Sequence, residues 1–212
     1  MDPTGTWALE IVVVSVAKAP LFGETYSASR SRLLVRITRD GPRFVQRQTL
    51  CATTMEGGTK LARVVIPEGW RAALPDRSYA ADLRLEAGAW RYHADTGVQT
   101  VGYDPALGGL PRRASDPQTV DADGDGKPGA TVLVKVPGFG TAEVFVAQRG
   151  HSRLEGRFVS PDRVEGRVVL VDQRQVTLGA SHPLFDFTPD TRPDPSRSTF
   201  AMWRVDDGAR CP

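Results

Sequence analysis

Runs of Val, Ile, Leu and Phe alternate with Arg, Glu, Thr and Ser along most of this chain, and the 3.6-residue period of an amphipathic helix is almost absent. The alternation predicts strands over 6–17, 30–39, 44–53, 61–66, 79–86, 98–103, 131–136, 142–148, 152–159, 163–171, 176–179 and 199–205. Turn chemistry separates them: Asp40-Gly41-Pro42, Pro137-Gly138-Phe139-Gly140 and Ser160-Pro161-Asp162 supply residues that set or tolerate turn dihedrals. One helical turn is expected over 67–74, with Pro67 at its start and Pro75 beyond its end. The fold class is therefore all-β, an antiparallel β-barrel or β-sandwich, in a single domain over 1–212.

The most regular segment is Arg153-Leu154-Glu155-Gly156-Arg157-Phe158-Val159, repeated ten residues later as Arg163-Val164-Glu165-Gly166-Arg167-Val168-Val169. A hairpin turning at Ser160-Pro161-Asp162 sets Phe158 against Val164, Gly156 against Gly166 and Leu154 against Val168 on one face. The other face then matches Arg157 with Glu165 and Glu155 with Arg167. A two-residue loop would put Phe158 opposite Glu165, so the register argues for an odd loop with Val159 opposite Arg163. Facing glycines leave a gap that an aromatic from elsewhere in the core fills, unless the strands bend or enclose a cavity there.

Two segments, 104–129 and 182–198, break the strand pattern, and loops of that length are uncommon in compact domains unless they serve a function. The first ends in Asp121-Ala122-Asp123-Gly124-Asp125-Gly126-Lys127-Pro128-Gly129. Carboxylates at every second position around glycine turns are what a hard cation requires of a short loop. Asp121, Asp123 and Asp125 stand at positions 1, 3 and 5 of a calcium loop, with the Lys127 carbonyl placed as a fourth ligand, so the expected cofactor is calcium. An Asp/Gly turn with solvated charges is the plainer alternative.

The loop resembles both EF-hand loops and the D-x-D-G-D-G-x-x-D loops of integrin-type propeller repeats. The twelfth position, a bidentate Glu in an EF-hand, is Val132 here, and a strand follows in place of a helix. The last propeller ligand corresponds to Gly129, so water or a distant carboxylate such as Asp116 or Glu143 is expected to complete the shell.

Charged residues at 25% and a net charge of +2 give no reason to invoke nucleic acid. Lysine occurs only at Lys18, Lys60, Lys127 and Lys135, the remaining basic residues being arginine, a usage that fits a GC-rich bacterial genome. The two cysteines, Cys51 and Cys211, are expected to form one bridge that ties down the C-terminus. His93, His151 and His182 lack zinc-ligand spacing. The apolar run over 11–17 is too short to span a bilayer, and Met1-Asp2-Pro3 lacks the basic start of a signal peptide. A calcium loop and a disulfide both favour an exported protein, periplasmic, outer-surface or secreted, whose leader has been removed.

Nucleophile-elbow, zincin, P-loop and dinucleotide-binding motifs are all lacking, and no catalytic residue is assigned. Gly5-Thr6-Trp7 opening the first strand resembles the G-x-W start of lipocalin-type barrels, in which an Arg from near the end of the barrel covers the Trp. Arg204 is the residue here that matches. The resemblance implies a closed barrel binding a small apolar molecule. The expected function is thus an exported, non-catalytic β domain that binds a small apolar ligand or a cell-surface partner. The alternative is an extracellular hydrolase of glycans or lipids whose carboxylates one sequence does not group.

Overall fold

The computed structural model describes residues 1–19, 23–57, 62–72 and 74–211. Leu61, at the start of an expected strand, and Ala73, within the expected helical turn, lie outside the described residues. The elements are β1 (Gly5–Ala19), β2 (Gly23–Asp40), β3 (Arg43–Gly57), β4 (Arg63–Val65), α1 (Glu68–Ala72), β5 (Arg77–Glu86), β6 (Ala89–Val101) and β7 (Ala130–Val136). They continue with β8 (Gly140–Ser160), β9 (Arg163–Ala180), a single 3-10 turn (Pro183–Phe185), β10 (Asp190–Pro193) and β11 (Thr199–Arg204). The chain is all-β, and every strand pairing is antiparallel.

Strands β1, β2, β3, β5, β6, β8, β9 and β11 pair in that order, and β11 pairs back onto β1, closing a ring. Each member neighbours the next ring strand along the chain, so closure removes free edges without any crossover. β8 is long enough to serve two sheets. Its residues 148–157 bond β6 within the ring, whereas residues 140–146 bond β7, which carries β4 on its far side. β9 follows the opposite edge of β8 from Val144 to Ser160, and so overlaps the β7-paired stretch at its end.

Several expected strands prove to be parts of longer ones. The charged residues Arg149 and His151 interrupt the apolar alternation, yet the backbone continues through them as a single β8. Their partners explain this, because Arg149 pairs with Asp172 at 2.9 Å across the β8–β9 ladder. Residues 89–97 extend β6 back to a two-residue turn at Ala87-Gly88, both at positive φ, which is the dihedral requirement of a type I′ hairpin. β10 lies inside the proline-rich segment. It bonds the edge of β1, where a proline without an N–H is tolerated.

The expected hairpin has the expected register: Phe158↔Val164, Gly156↔Gly166 and Leu154↔Val168. Its turn differs. Ser160 pairs with Arg163 around a two-residue turn, and a bulge at Val159 restores the odd offset that a three-residue loop would have supplied. Arg167 meets Glu155 at 2.7 Å, but Glu165 takes Arg163 at 2.7 Å in place of Arg157. An aromatic covers the facing glycines: a Cβ at Gly166 would lie 2.6 Å from the Phe200 ring, and one at Gly156 2.8 Å from it.

Phe200 belongs to the ring's core with Trp7, Leu9, Ile37, Tyr92, Leu154 and Met202. Trp7 is fully buried, its indole N–H donates to the Pro3 carbonyl at 2.8 Å, and the Arg204 guanidinium lies 4.6 Å from its ring centre. Arg204 also donates to the carbonyls of Thr4 and Asp2 and to Asp162, so one side chain closes this end of the ring. A second core holds Trp70, Val132, Val144, Val146 and Phe185, between α1, β7 and the first half of β8. The disulfide joins Cys51 of β3 to Cys211 with a Cα–Cα distance of 5.0 Å, tying the C-terminal tail to the ring wall.

Two stability measurements follow. Gly166→Ala is expected to cost about 1–3 kcal/mol or more in urea unfolding, because the added methyl meets the backbone of Glu155 and Gly156 on the facing strand as well as Phe200. Gly150→Ala, whose Cβ meets nothing within 4 Å, changes it by less than about 0.5 kcal/mol. Reducing the Cys51–Cys211 bridge, or replacing both residues by Ser, lowers stability by about 2–5 kcal/mol, read as a fall in the urea midpoint.

Candidate metal site

The segment between β6 and β7 has no regular structure but is tightly bonded. Val120 N–H donates to Gly102 O, Gly129 N–H to Val120 O and Ala122 N–H to Gly129 O, so both ends of the acidic stretch are clamped together. Between them the chain turns back at Gly124 and Gly126, with φ of 74° and 81°, a region that favours glycine. Gly129 is fixed for another reason. A Cβ there would lie 2.5 Å from the Val146 carbonyl of β8, so no side chain fits at that position.

This folding brings the three aspartates together, with one oxygen from each within 4.8 Å of the others. Among the described residues they form the one cluster of His, Cys, Asp and Glu able to hold an ion. Asp121 organises the turn: its Oδ1 accepts from Gly124 N–H at 2.8 Å and Asp125 N–H at 3.2 Å, and its Oδ2 from Gly126 N–H at 2.8 Å. These N–H donors, chiefly that of Gly126, hold its carboxyl below the ordinary value. Asp125 accepts from Lys127 N–H at 2.8 Å and from the Thr131 hydroxyl at 2.6 Å.

Asp123 is the exception. Its Oδ2 accepts from Thr131 N–H at 2.9 Å, while its Oδ1 is buried with no protein partner. Burial and then the charges of Asp125 and Asp121 push its carboxyl above the ordinary value. Ionised Asp123 thus opposes folding at neutral pH, a penalty relieved as pH falls through its raised titration or when a cation arrives, whereas ionised Asp121, held low by its N–H donors, supports the turn. A buried, unpaired carboxylate oxygen amid like charges, with oxygen-only donors around it, suits a hard divalent ion.

The loop also joins the second core to its surroundings. Ala122 packs against that core, Gly69 of α1 lies against Asp123, and Thr131, bonded twice by the loop, is the second residue of β7. Sequence reading placed the three carboxylates but missed Thr131, whose hydroxyl just beyond the last glycine was the available signal. Lys127 contributes a backbone N–H to Asp125, and its ammonium lies 6.0 Å from the Phe145 ring centre. Asp116 and Glu143 do not join the cluster. Asp116 accepts from the N–H groups of Arg112 and Arg113, and the Glu143 backbone pairs with Ser181.

The histidines are separately engaged or apart. His151 shares a hydrogen bond with Asp95 at 2.7 Å, His182 caps the 3-10 turn by accepting from Leu184 N–H, and His93 lines a shallow groove with Glu155 and Arg167. In that groove Glu155 is held below its ordinary value, first by the Arg167 hydrogen bond. A second polar group lies inside the ring, where Gln46 and Gln48 of β3 face Tyr79 and Arg77 of β5. Strand alternation places both glutamines on the face of Phe44 and Leu50, but only the β3–β5 register sets Tyr79 and Arg77 opposite them. No family model and no curated protein matches this chain.

Proposed function

We propose that this chain is a non-catalytic β domain of an oxidising compartment in which a calcium ion locks the loop that seats β7 and α1. The observation that carries the reading is Asp123 Oδ1, buried and unpaired beside Asp121 and Asp125. Asp121, Asp123 and Asp125 supply carboxylate oxygens, and the Lys127 carbonyl with water completes the shell. Calcium suits the site better than magnesium, since carboxylates held in place by the loop's own N–H groups, with waters, do not form a small regular octahedron. A disulfide between Cys51 and Cys211 supports a periplasmic or extracellular setting. Among the described residues no helix is long and apolar enough to cross a membrane.

The ring is proposed to hold a small ligand. Its strand order and the stacking of Arg204 on Trp7 are the arrangement that the lipocalin-type resemblance implies. The metal loop then has a mechanical role: it fixes β7 against the half of β8 that continues into the ring wall.

The ion is tested by calorimetry and thermal melting. Calcium binds with a Kd on the order of 10⁻⁴ to 10⁻³ M. Ten millimolar calcium therefore stabilises by roughly 1–3 kcal/mol and raises the midpoint by about 3–10 °C, with a much smaller rise in magnesium. Asp123→Asn keeps the acceptor for Thr131 N–H but removes the charge. In chelator it melts at or above the wild-type temperature, and in calcium below it. Wild-type protein indifferent to calcium in both measurements would reduce the loop to an Asp/Gly turn.

A further inference from the structure

The outer face of β5, β6 and β8 carries a row of arginines that neither the acidic loop nor the ring core uses. Arg84 stands directly opposite Arg91 across β5–β6, and Arg91 directly opposite Arg157 across β6–β8. Opposed residues of an antiparallel pair have Cβ atoms about 4.5–5.5 Å apart, and like charges so placed are destabilising. The row lies outside the ring. Leu83, Tyr92 and Leu154 turn into the core, and each arginine stands an odd number of positions from the core residue on its own strand.

The carboxylates around the row are engaged elsewhere or stand off. Glu165, opposite Arg157, takes Arg163 at 2.7 Å, and Glu155 accepts two N–H groups of Arg167 at 2.7 and 3.2 Å. Glu86 and Asp82 come only within 3.8 Å of Arg91 and Arg84, beyond hydrogen-bond length. Among the described residues no acceptor is hydrogen-bonded to any of the three guanidiniums, and Arg157 makes no ion pair. Arg91, Arg157 and Arg167 line the shallow groove on this face, together with Glu86, Glu155 and Glu165. With Glu155 and Glu165 matched by Arg167 and Arg163, the row keeps a positive surplus over Asp82 and Glu86.

Neighbouring guanidinium forks without acceptors recognise an oxyanion. A carboxylate fills one fork, whereas a phosphate monoester brings a charge of about −1.5 to −2 and three acceptor oxygens, enough to engage adjacent forks. We propose that Arg84, Arg91 and Arg157 form a surface site for a phosphate monoester. Arg157 and Arg91 grip its oxygens from opposed positions on β8 and β6, and Arg84 adds charge from β5. The phosphate offsets the repulsion that the row otherwise carries. The site stands on the outer wall and is independent of both the acidic loop and the ring interior.

The test is calorimetric titration of the full chain at low ionic strength with glucose 6-phosphate, with glucose as control, beside flotation with phosphatidylcholine vesicles with and without phosphatidate. Wild-type protein binds the sugar phosphate or the phosphatidate vesicles and ignores glucose and plain vesicles. Arg157→Gln weakens that binding by at least about fivefold. Arg32→Gln removes the same charge from an exposed position on β2 and leaves binding within about twofold. Without ligand, Arg157→Gln melts at or above the wild-type temperature, because a like-charged neighbour has been removed. Binding of phosphatidate alone, lost in Arg157→Gln, assigns the phosphate to a lipid headgroup, and binding of the sugar phosphate assigns it to a soluble ligand. Binding of neither probe, equal weakening by Arg32→Gln, or a lower melting temperature of ligand-free Arg157→Gln overturns the site.

Discussion

The β8–β9 ladder is the interaction on which the rest of this architecture depends. One stretch of it is ring wall, pairing on through β6, and the other is the floor of a second sheet through β7. Because the strands are continuous, the two hydrophobic cores are not separate modules. Trp7, Tyr92 and Met202 pack at one end of a pair of strands whose other end supports Trp70 and Val144. Of the three register shifts along the ladder, the one between Phe145 and Val146 lies where β8 passes from β7 to β6, and its bulge adds local twist there. Polar pairs such as Arg149 with Asp172 maintain the ladder where it has no core to cover.

That continuity explains which parts of the fold were legible in the sequence. Residues 152–169 alternate cleanly because one face is fully buried, and their pairing could be read to the residue. Val159 was misread because a bulge has no apolar signature: it shifts the count without altering the alternation on either side. Residues 149–151 and 172–175 fell between expected strands because their charged and polar side chains interrupt the apolar alternation, whereas here charges meet across the strands. β10 was hidden by its prolines, which forbid a central strand but not an edge. Ring closure was not decidable, since β1 and β11 are far apart in the chain and a sandwich would use the same alternation.

The acidic loop was legible for the opposite reason. Its residues are chosen for short-range geometry, and Asp121 bonding the N–H groups of Gly124, Asp125 and Gly126 is a relation within six residues. Thr131 was missed because its importance comes from standing at the junction with β7. The block of Gln46, Gln48, Arg77 and Tyr79 was missed for a related cause: each residue is ordinary on a strand, and only the register places four polar side chains together indoors.

Gly129 stands where an integrin-type loop places its last carboxylate, and the Val146 carbonyl fills the space that a side chain would need. The low affinity proposed for an ion here would then be architectural, because the backbone leaves no room for a further carboxylate at that position. A carboxylate cannot be installed at Gly129 by exchange of that residue alone, because the strand that supports the loop also limits it. Tighter binding would require β8 to move, and β8 is shared with the ring. The room left beside the three aspartates and the shape of the ring wall are in this way set by the same backbone.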